Sequence, residues 1–319
     1  MKILAIQNRM GIGDTVIFLP FIKAISKYYD TPVNILVKNT SKAQEFLYQT
    51  QYIDQIITLE RNNKNGRHDG FIGSINLIKE LRKYKFDIVF IFNSSLRYKV
   101  ISKLSGIKKI YQYPLFKKKN QNLISAAKNL IKKELLINVD DNPEIYINDN
   151  LVKKAAERYG IEKKQTNILL GIGGSGPTKR IPGKTFLKVI EEILKIKDCK
   201  FFLATGKNSD EQSILTEIMN SSFKDSLISL DDLSIKDTLP IIKNCNVSIC
   251  NDTSFSHLSS ALGIETITLM ADTPLMYGNY SSKMHPIIPD GEETVSHNTL
   301  GKDKINPDKI LQKLKNILN

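Results

Sequence analysis

Residues 2–29 read KILAIQNRMGIGDTVIFLPFIKAISKYY, and the fold is decided here. KILAI (2–6) is a short apolar run of strand length, and from Thr15 to about Tyr29 apolar residues recur at helical spacing. Between them lies the glycine turn Gly11-Ile12-Gly13, followed directly by Asp14. A strand, a glycine turn and a helix open a nucleotide-binding unit, where the helix N-terminus ordinarily meets a phosphate. A carboxylate has the wrong charge for that task. Asp14 therefore either caps the helix or marks a turn that serves something other than phosphate.

Outward from this stretch, strand-like runs alternate with helical patterns. The runs are VNILV (33–37), IDQIITL (53–59), FDIVFIF (86–92) and KKIYQY (108–113), with helices expected near 14–29, 41–49, 73–84 and 95–104. Such alternation implies a parallel sheet covered by helices. RNNKNGRHDG (61–70) is polar and broken by glycine, hence a loop. Residues 114–150 lose the alternation and read as a border. A second set follows: NILLGI (167–172), KFFLAT (200–205), SLISL (226–230), VSIC (247–250) and ETITLM (265–270). Helices are expected at 183–196, 209–219, 234–243 and 254–262, and an amphipathic helix at 307–318 closes the chain. The expected domains are 1–150 and 151–319, two Rossmann-like halves facing each other across a cleft, with the last helix open to packing back on the first.

The 319 residues suffice for two cores of roughly 150 residues each. No apolar run approaches the ~20 residues of a membrane span, and the opening residues lack a signal-peptide pattern. Cys199, Cys245 and Cys250 have neither metal-ligand spacing nor the even number of a disulfide framework. A cytoplasmic protein is expected, as a monomer. The net charge of +13 is uneven: Arg97 to Lys133 holds eleven Lys/Arg and no acid. That run, with Lys117, Lys118 and Lys119 at its centre, is either a solvated face or a surface for an anionic partner such as a membrane or a phosphorylated glycan. No nucleic-acid-binding pattern accompanies it, so nucleic acid is not expected.

Ligands of such sheets bind beyond the carboxyl ends of the strands. As a dinucleotide site the first loop fails: Val16 stands where G-x-G-x-x-G needs its last glycine, and Lys38-Asn39 where an acid should hold the ribose. An NAD(P)-dependent oxidoreductase is thereby disfavoured. GIGGSGPTKR is no Walker loop either, because Pro177 stands in place of lysine. In this second loop, Gly174 offers backbone N–H to an anion, Ser175 and Thr178 offer hydroxyls and Lys179 a positive charge; the alternative is an ordinary surface turn. The third loop, Asn251 to Leu258, reads with Asp252 as N-cap and with the N–H groups of Thr253, Ser254 and Phe255 as a diphosphate cradle. His257 falls one turn into that helix. A capping aspartate beside a structural histidine is the alternative.

Four segments in this order resemble glycosyltransferase family 9, the ADP-heptose:lipopolysaccharide heptosyltransferases. They are ILAIQNRMGIGDTVIFLPFIKAISKYY with its G-D turn, KFDIVFIFNSSLRYKVISKLSGIKKIYQY, GIGGSGPTKRIPGKTFLKVI, and ICNDTSFSHLSSALGIETITLM, which is similar to D-T-G-x-x-H-x-A-(A/S)-A-L-G. Ile181 departs from the family's tryptophan, Ser254 from its glycine and Glu265 from its proline, all on the expected donor side. The resemblance implies an α/β GT-B fold and inverting, metal-independent transfer of a heptose or related sugar from a nucleotide sugar, ADP-linked, to a lipid-linked glycan of the lipopolysaccharide core. It implies no cofactor. Asp14 would be the general base, with Gly13 and Arg97 on the acceptor side; Gly174, Ser175, Thr178, Lys179, Asp252, Thr253, Ser254 and His257 would hold the donor. It also implies peripheral contact with the inner membrane. A non-catalytic relative that binds a nucleotide sugar or an anionic glycan is the alternative.

Overall fold

The opening stretch folds as β1 (Ile3–Ile6), buried along its whole length, and α1 (Ile12–Tyr29). The helix starts two residues before the expected position 14, so Gly13 is helical and not part of the turn. In this computed structural model, residues 1–61, 66–115 and 122–319 are described. The chain divides into two units, Met1–Pro143 and Glu144–Asn319, with the border upstream of the expected 150/151.

In the first unit β2 (Val33–Lys38), β3 (Ile53–Leu59), β4 (Ile88–Ile91) and β5 (Lys109–Gln112) join β1 in a parallel sheet of order β3-β2-β1-β4-β5. Its three central strands, β1, β2 and β4, are near-continuous apolar runs because both faces are covered. Phe18 and Phe21 of α1 meet Phe92 with ring centroids 5.2 and 6.3 Å apart, and each fully buried ring contributes roughly 1.5–3 kcal/mol. α2 (Ala43–Phe46) is a single turn, shorter than expected. α3 (Gly70–Tyr84) and α4 (Leu96–Leu104) pack together through Leu77, Leu81, Tyr98 and Ile101 onto Leu4, Ile6, Val89 and Ile91. The lysine-rich border contains α5 (Leu123–Leu135), capped by the Asn122 side chain and packed on α1.

The second unit begins with α6 (Asp149–Tyr159), also unforeseen. Its sheet comprises β6 (Thr166–Gly171), β7 (Cys199–Ala204), β8 (Leu227–Ser229), β9 (Val247–Asn251), β10 (Glu265–Leu269) and β11 (Met284–Ile287), parallel in the order β11-β10-β9-β6-β7-β8. β11 went unread because His285 and Pro286 interrupt it; proline is tolerated because this strand lies at the sheet edge. α7 (Gly183–Leu194), α8 (Ser209–Met219), α9 (Ile235–Lys243) and α10 (Ser254–Ala261) connect the strands. α11 (Pro307–Leu318) packs on α7 and sets Ile310, Leu311 and Leu314 into this unit's core.

In both sheets the strand order reverses beside the first strand: β1 lies between β2 and β4, and β6 between β7 and β9. The loops at such a switch point carry the ligand. Asp14 follows β1; the glycine loop follows β6 and Asp252 follows β9.

Candidate functional site

In the first unit Asp14 occupies the first turn of α1. One carboxylate oxygen, Oδ2, accepts the Gly11 N–H at 3.1 Å, while Oδ1 lies 3.5 Å from the Arg9 guanidinium. Gln7, just beyond β1, braces the turn: its Nε2 donates to the Asp14 carbonyl at 3.1 Å and its Oε1 accepts the Arg9 N–H at 2.9 Å. Asp14 thus caps the helix and still leaves 21% of its side chain exposed. Arg97, in the first turn of α4, donates to the His68 carbonyl. Burial, then the neighbouring Arg61 charge, lowers its guanidinium below the ordinary arginine value. Arg61, which the sequence reading passed over, is held by Asp69 at 3.4 Å and Tyr98 at 3.5 Å. Lys117, Lys118 and Lys119 lie outside the described residues.

In the second unit the loops after β6, β9 and β10 converge, since these strands are neighbours. Lys179 Nζ lies 2.9 Å from Asp252 Oδ2. Asp252 Oδ1 lies 3.9 Å from His257 Nε2, and His257 Nδ1 lies 2.9 Å from the Tyr280 hydroxyl, the two rings being stacked. Burial alone would raise the Asp252 carboxyl; the charges of Lys179 and His257, with the hydrogen bond from Lys179, outweigh it and hold the group below the usual carboxylate range. Burial, aided by the Asp252 charge, pushes the Tyr280 hydroxyl far above its ordinary value, so it stays protonated. Asp272 is likewise opposed by burial, yet the Leu300 N–H and the Thr178 hydroxyl, among others, keep it low. An ammonium has three N–H donors; one of those on Lys179 faces Asp252, and others remain for a ligand.

Several expected roles change. Thr253, not Asp252, is the N-cap of α10: its Oγ1 accepts the Phe255 N–H at 3.2 Å. Phe255 therefore does not offer its N–H to a diphosphate, while Ser254 opens the helix. The Gly174 N–H is donated to Glu211 Oε1 at 2.7 Å, so this glycine does not present a free donor either. Ser175 is exposed and Thr178 half-buried. Two of the departures assigned to the donor side are structural. Ile181 is fully buried in the second core. Glu265 stands at the amino end of β10, away from the loops, where it meets Lys283 and His285. The reading missed Asn251, whose Nδ2 donates to the carbonyls of Ile172 and Gly173 at 2.9 and 3.0 Å, and also Asp272, Thr273 and Tyr280. One signal was available: Asp-Thr follows β10 as it follows β9.

Two parallel α/β units of this kind give the chain the GT-B fold of the solved structures to which it is similar. The chain belongs to glycosyltransferase family 9 (heptosyltransferase), whose model matches residues 74–294, and the oxidoreductase reading is dropped. It is 22% identical to lipopolysaccharide heptosyltransferase 1 of Campylobacter coli over 95% of this chain and 93% of that protein. In fold it is similar to E. coli ADP-heptose lps heptosyltransferase II, with TM-score 0.74 and 16% identity, covering 100% of this chain and 98% of that one. It is also similar to E. coli heptosyltransferase WaaC with ADP, with TM-score 0.73 and 13% identity, covering 99% and 100%.

Proposed function

We propose that the chain transfers a heptose or related sugar from a nucleoside-diphosphate sugar, ADP-linked, to a glycan acceptor of the lipopolysaccharide core, with inversion. The observation that carries this reading is the Lys179–Asp252–His257 assembly at the switch point of the second sheet. The names of its relatives, one of which was solved with ADP, support the choice of sugar and nucleotide. The acceptor hydroxyl attacks the anomeric carbon as the bond from that carbon to the diphosphate oxygen breaks. Asp14 takes the hydroxyl proton, and a positioned base contributes roughly 10²–10⁴-fold. Charge on the leaving diphosphate is met by Lys179 and by the N-terminus of α10, and no metal is required. Gly13 and Arg97 belong to the acceptor side; Ser175, Thr178, Thr253 and Ser254 line the donor side.

Peripheral contact with an anionic membrane is part of the same reading. Among the described residues, no helix is long and apolar enough to cross a membrane. On α4, however, Leu96, Val100 and Leu104 are 45%, 44% and 53% exposed at a spacing of four, with exposed Lys99 and Lys103 beside them. A ridge of this composition suits the interface of an anionic bilayer. Calorimetry with a panel of nucleoside diphosphates and their sugars tests the donor reading. ADP and ADP-heptose should bind without added metal, and turnover should survive EDTA; failure of every member to bind would overturn the assignment.

A further inference from the structure

We propose that Glu211 is a positioning residue for the donor: its buried carboxylate fixes the glycine loop in the form that carries Lys179 to the diphosphate. The proposal rests on the donor reading of Lys179. Glu211 stands in the first turn of α8, and its side chain reaches back under the loop after β6. Oε1 accepts the Gly174 N–H at 2.7 Å, the short length of a charge-assisted bond. Oε2 accepts from Asn208 Nδ2, while the Glu211 N–H donates to Asn208 Oδ1 at 3.0 Å. Gly173 and Gly206 close around the carboxylate, and a Cβ on either would collide with it.

The neighbouring acid completes the grip. Arg180 Nε donates to the Gly174 carbonyl at 3.0 Å, and its guanidinium pairs with Asp210 at 2.6 Å. The N–H and the carbonyl of Gly174, which belong to successive peptides, are thus both tied to one turn of α8, and Asn251 fixes the carbonyls just before it. Between Gly174 and Arg180 the chain makes one short turn, Pro177–Lys179, that delivers Lys179 to Asp252. A carboxylate behind an anion-binding loop is unfavourably placed for the ligand's own charge. Its geometry fits shaping the loop rather than touching the ligand.

Glu211→Gln keeps the shape and breaks the pattern. Whichever way the amide is turned, its NH₂ faces a donor, either the Gly174 N–H or Asn208 Nδ2. Asn208 cannot turn in compensation without aiming its own NH₂ at the Glu211 N–H. Calorimetry should show ADP affinity falling about tenfold or more in E211Q, with kcat at saturating donor falling as well, because Lys179 also meets the charge on the leaving diphosphate. In a Lys179→Ala background the same change should cost less than about threefold, because its effect passes through Lys179. Circular dichroism reports whether each variant is folded. Amide exchange on the wild-type protein is independent of any variant: the Gly174 amide should exchange far more slowly than those of Ser175 and Gly176. Wild-type affinity in a folded E211Q, a full loss that persists without Lys179, or unprotected exchange at Gly174 would each overturn the proposal while leaving the donor reading intact. Lack of ADP binding by the wild-type protein would instead sink the donor reading, and this proposal with it.

Discussion

The turn after β1 and the loops after β6 and β9 lie at the switch points of two sheets that share one strand order over five strands, yet they carry opposite charge at their centres. The first presents a partly exposed carboxylate in a turn braced by Gln7 and Arg9. The second presents an ammonium, Lys179, and sets its acids behind it: Asp252 is buried and paired, and Glu211 is buried under the loop. The strand–turn–helix address therefore says only where a ligand sits. On the proposed reading, the sign of the charge left facing outward says what the ligand is, a proton to be removed in one unit and a diphosphate to be held in the other.

The severest test of this contrast is Asp14→Asn. It keeps one carbonyl oxygen for the Gly11 N–H, so the cap survives, but removes the base. Turnover should fall by roughly 10²-fold or more, while ADP affinity by calorimetry stays within about twofold. More than a tenth of wild-type kcat remaining would take the proton-abstracting role from the first unit. Lys179→Ala is the counterpart, and should weaken ADP about tenfold or more, charge-assisted contacts being worth roughly 1.5–3 kcal/mol. Unchanged affinity would move the diphosphate elsewhere and erase the difference between the two addresses.

The two regions were not equally legible. Asp14 stood out because the charge was wrong for its place, and Lys179, Asp252 and His257 because their motifs are spaced like a family pattern. What escaped was whatever depends on contact between distant segments. Glu211 lies in a helix first turn where an acid is unremarkable, and nothing local shows that its side chain reaches Gly174. Tyr280 lies in irregular chain after β10. Hydrophobic periodicity located most of the helices and strands among the described residues. It failed at α6, where Ala155 is the sole buried residue, and at α5, whose apolar stripe is masked by lysine and asparagine. Ile181 and Glu265 were assigned to the donor side as departures from the family's motifs there, whereas packing places one in the core and the other at the far end of its strand.

A smaller effect separates the units by their surroundings. If α4 of the first unit meets an anionic bilayer, Lys103→Gln should weaken binding to anionic vesicles about fivefold, the equivalent of about 1 kcal/mol per lysine near such a surface. Added salt should reproduce the loss, because the attraction is screened within a Debye length. ADP affinity should not move. Binding that ignores both the substitution and salt would leave Leu96, Val100 and Leu104 without a membrane role.

The smallest effect is expected at Glu265, where the question is whether a family departure in the second unit touches chemistry at all. Its carboxylate lies 2.7 Å from His285 Nε2 and pairs with Lys283. Burial opposes its charge, but these hydrogen bonds prevail and hold the group below the usual glutamate range. A depressed carboxylate stabilises the fold above its ordinary value, near 4.3, and that contribution is lost as pH falls through the lower folded value. Glu265→Gln should therefore lower stability at pH 7 by no more than about 1 kcal/mol, as expected of a partly exposed pair. Thermal melts of variant and wild type should converge on acidification below about pH 4, as the native carboxylate also becomes protonated. Turnover and ADP affinity should be those of the wild type. A changed donor preference in Glu265→Gln would show that the amino end of β10 does communicate with the loops at its other end, against the separation described here.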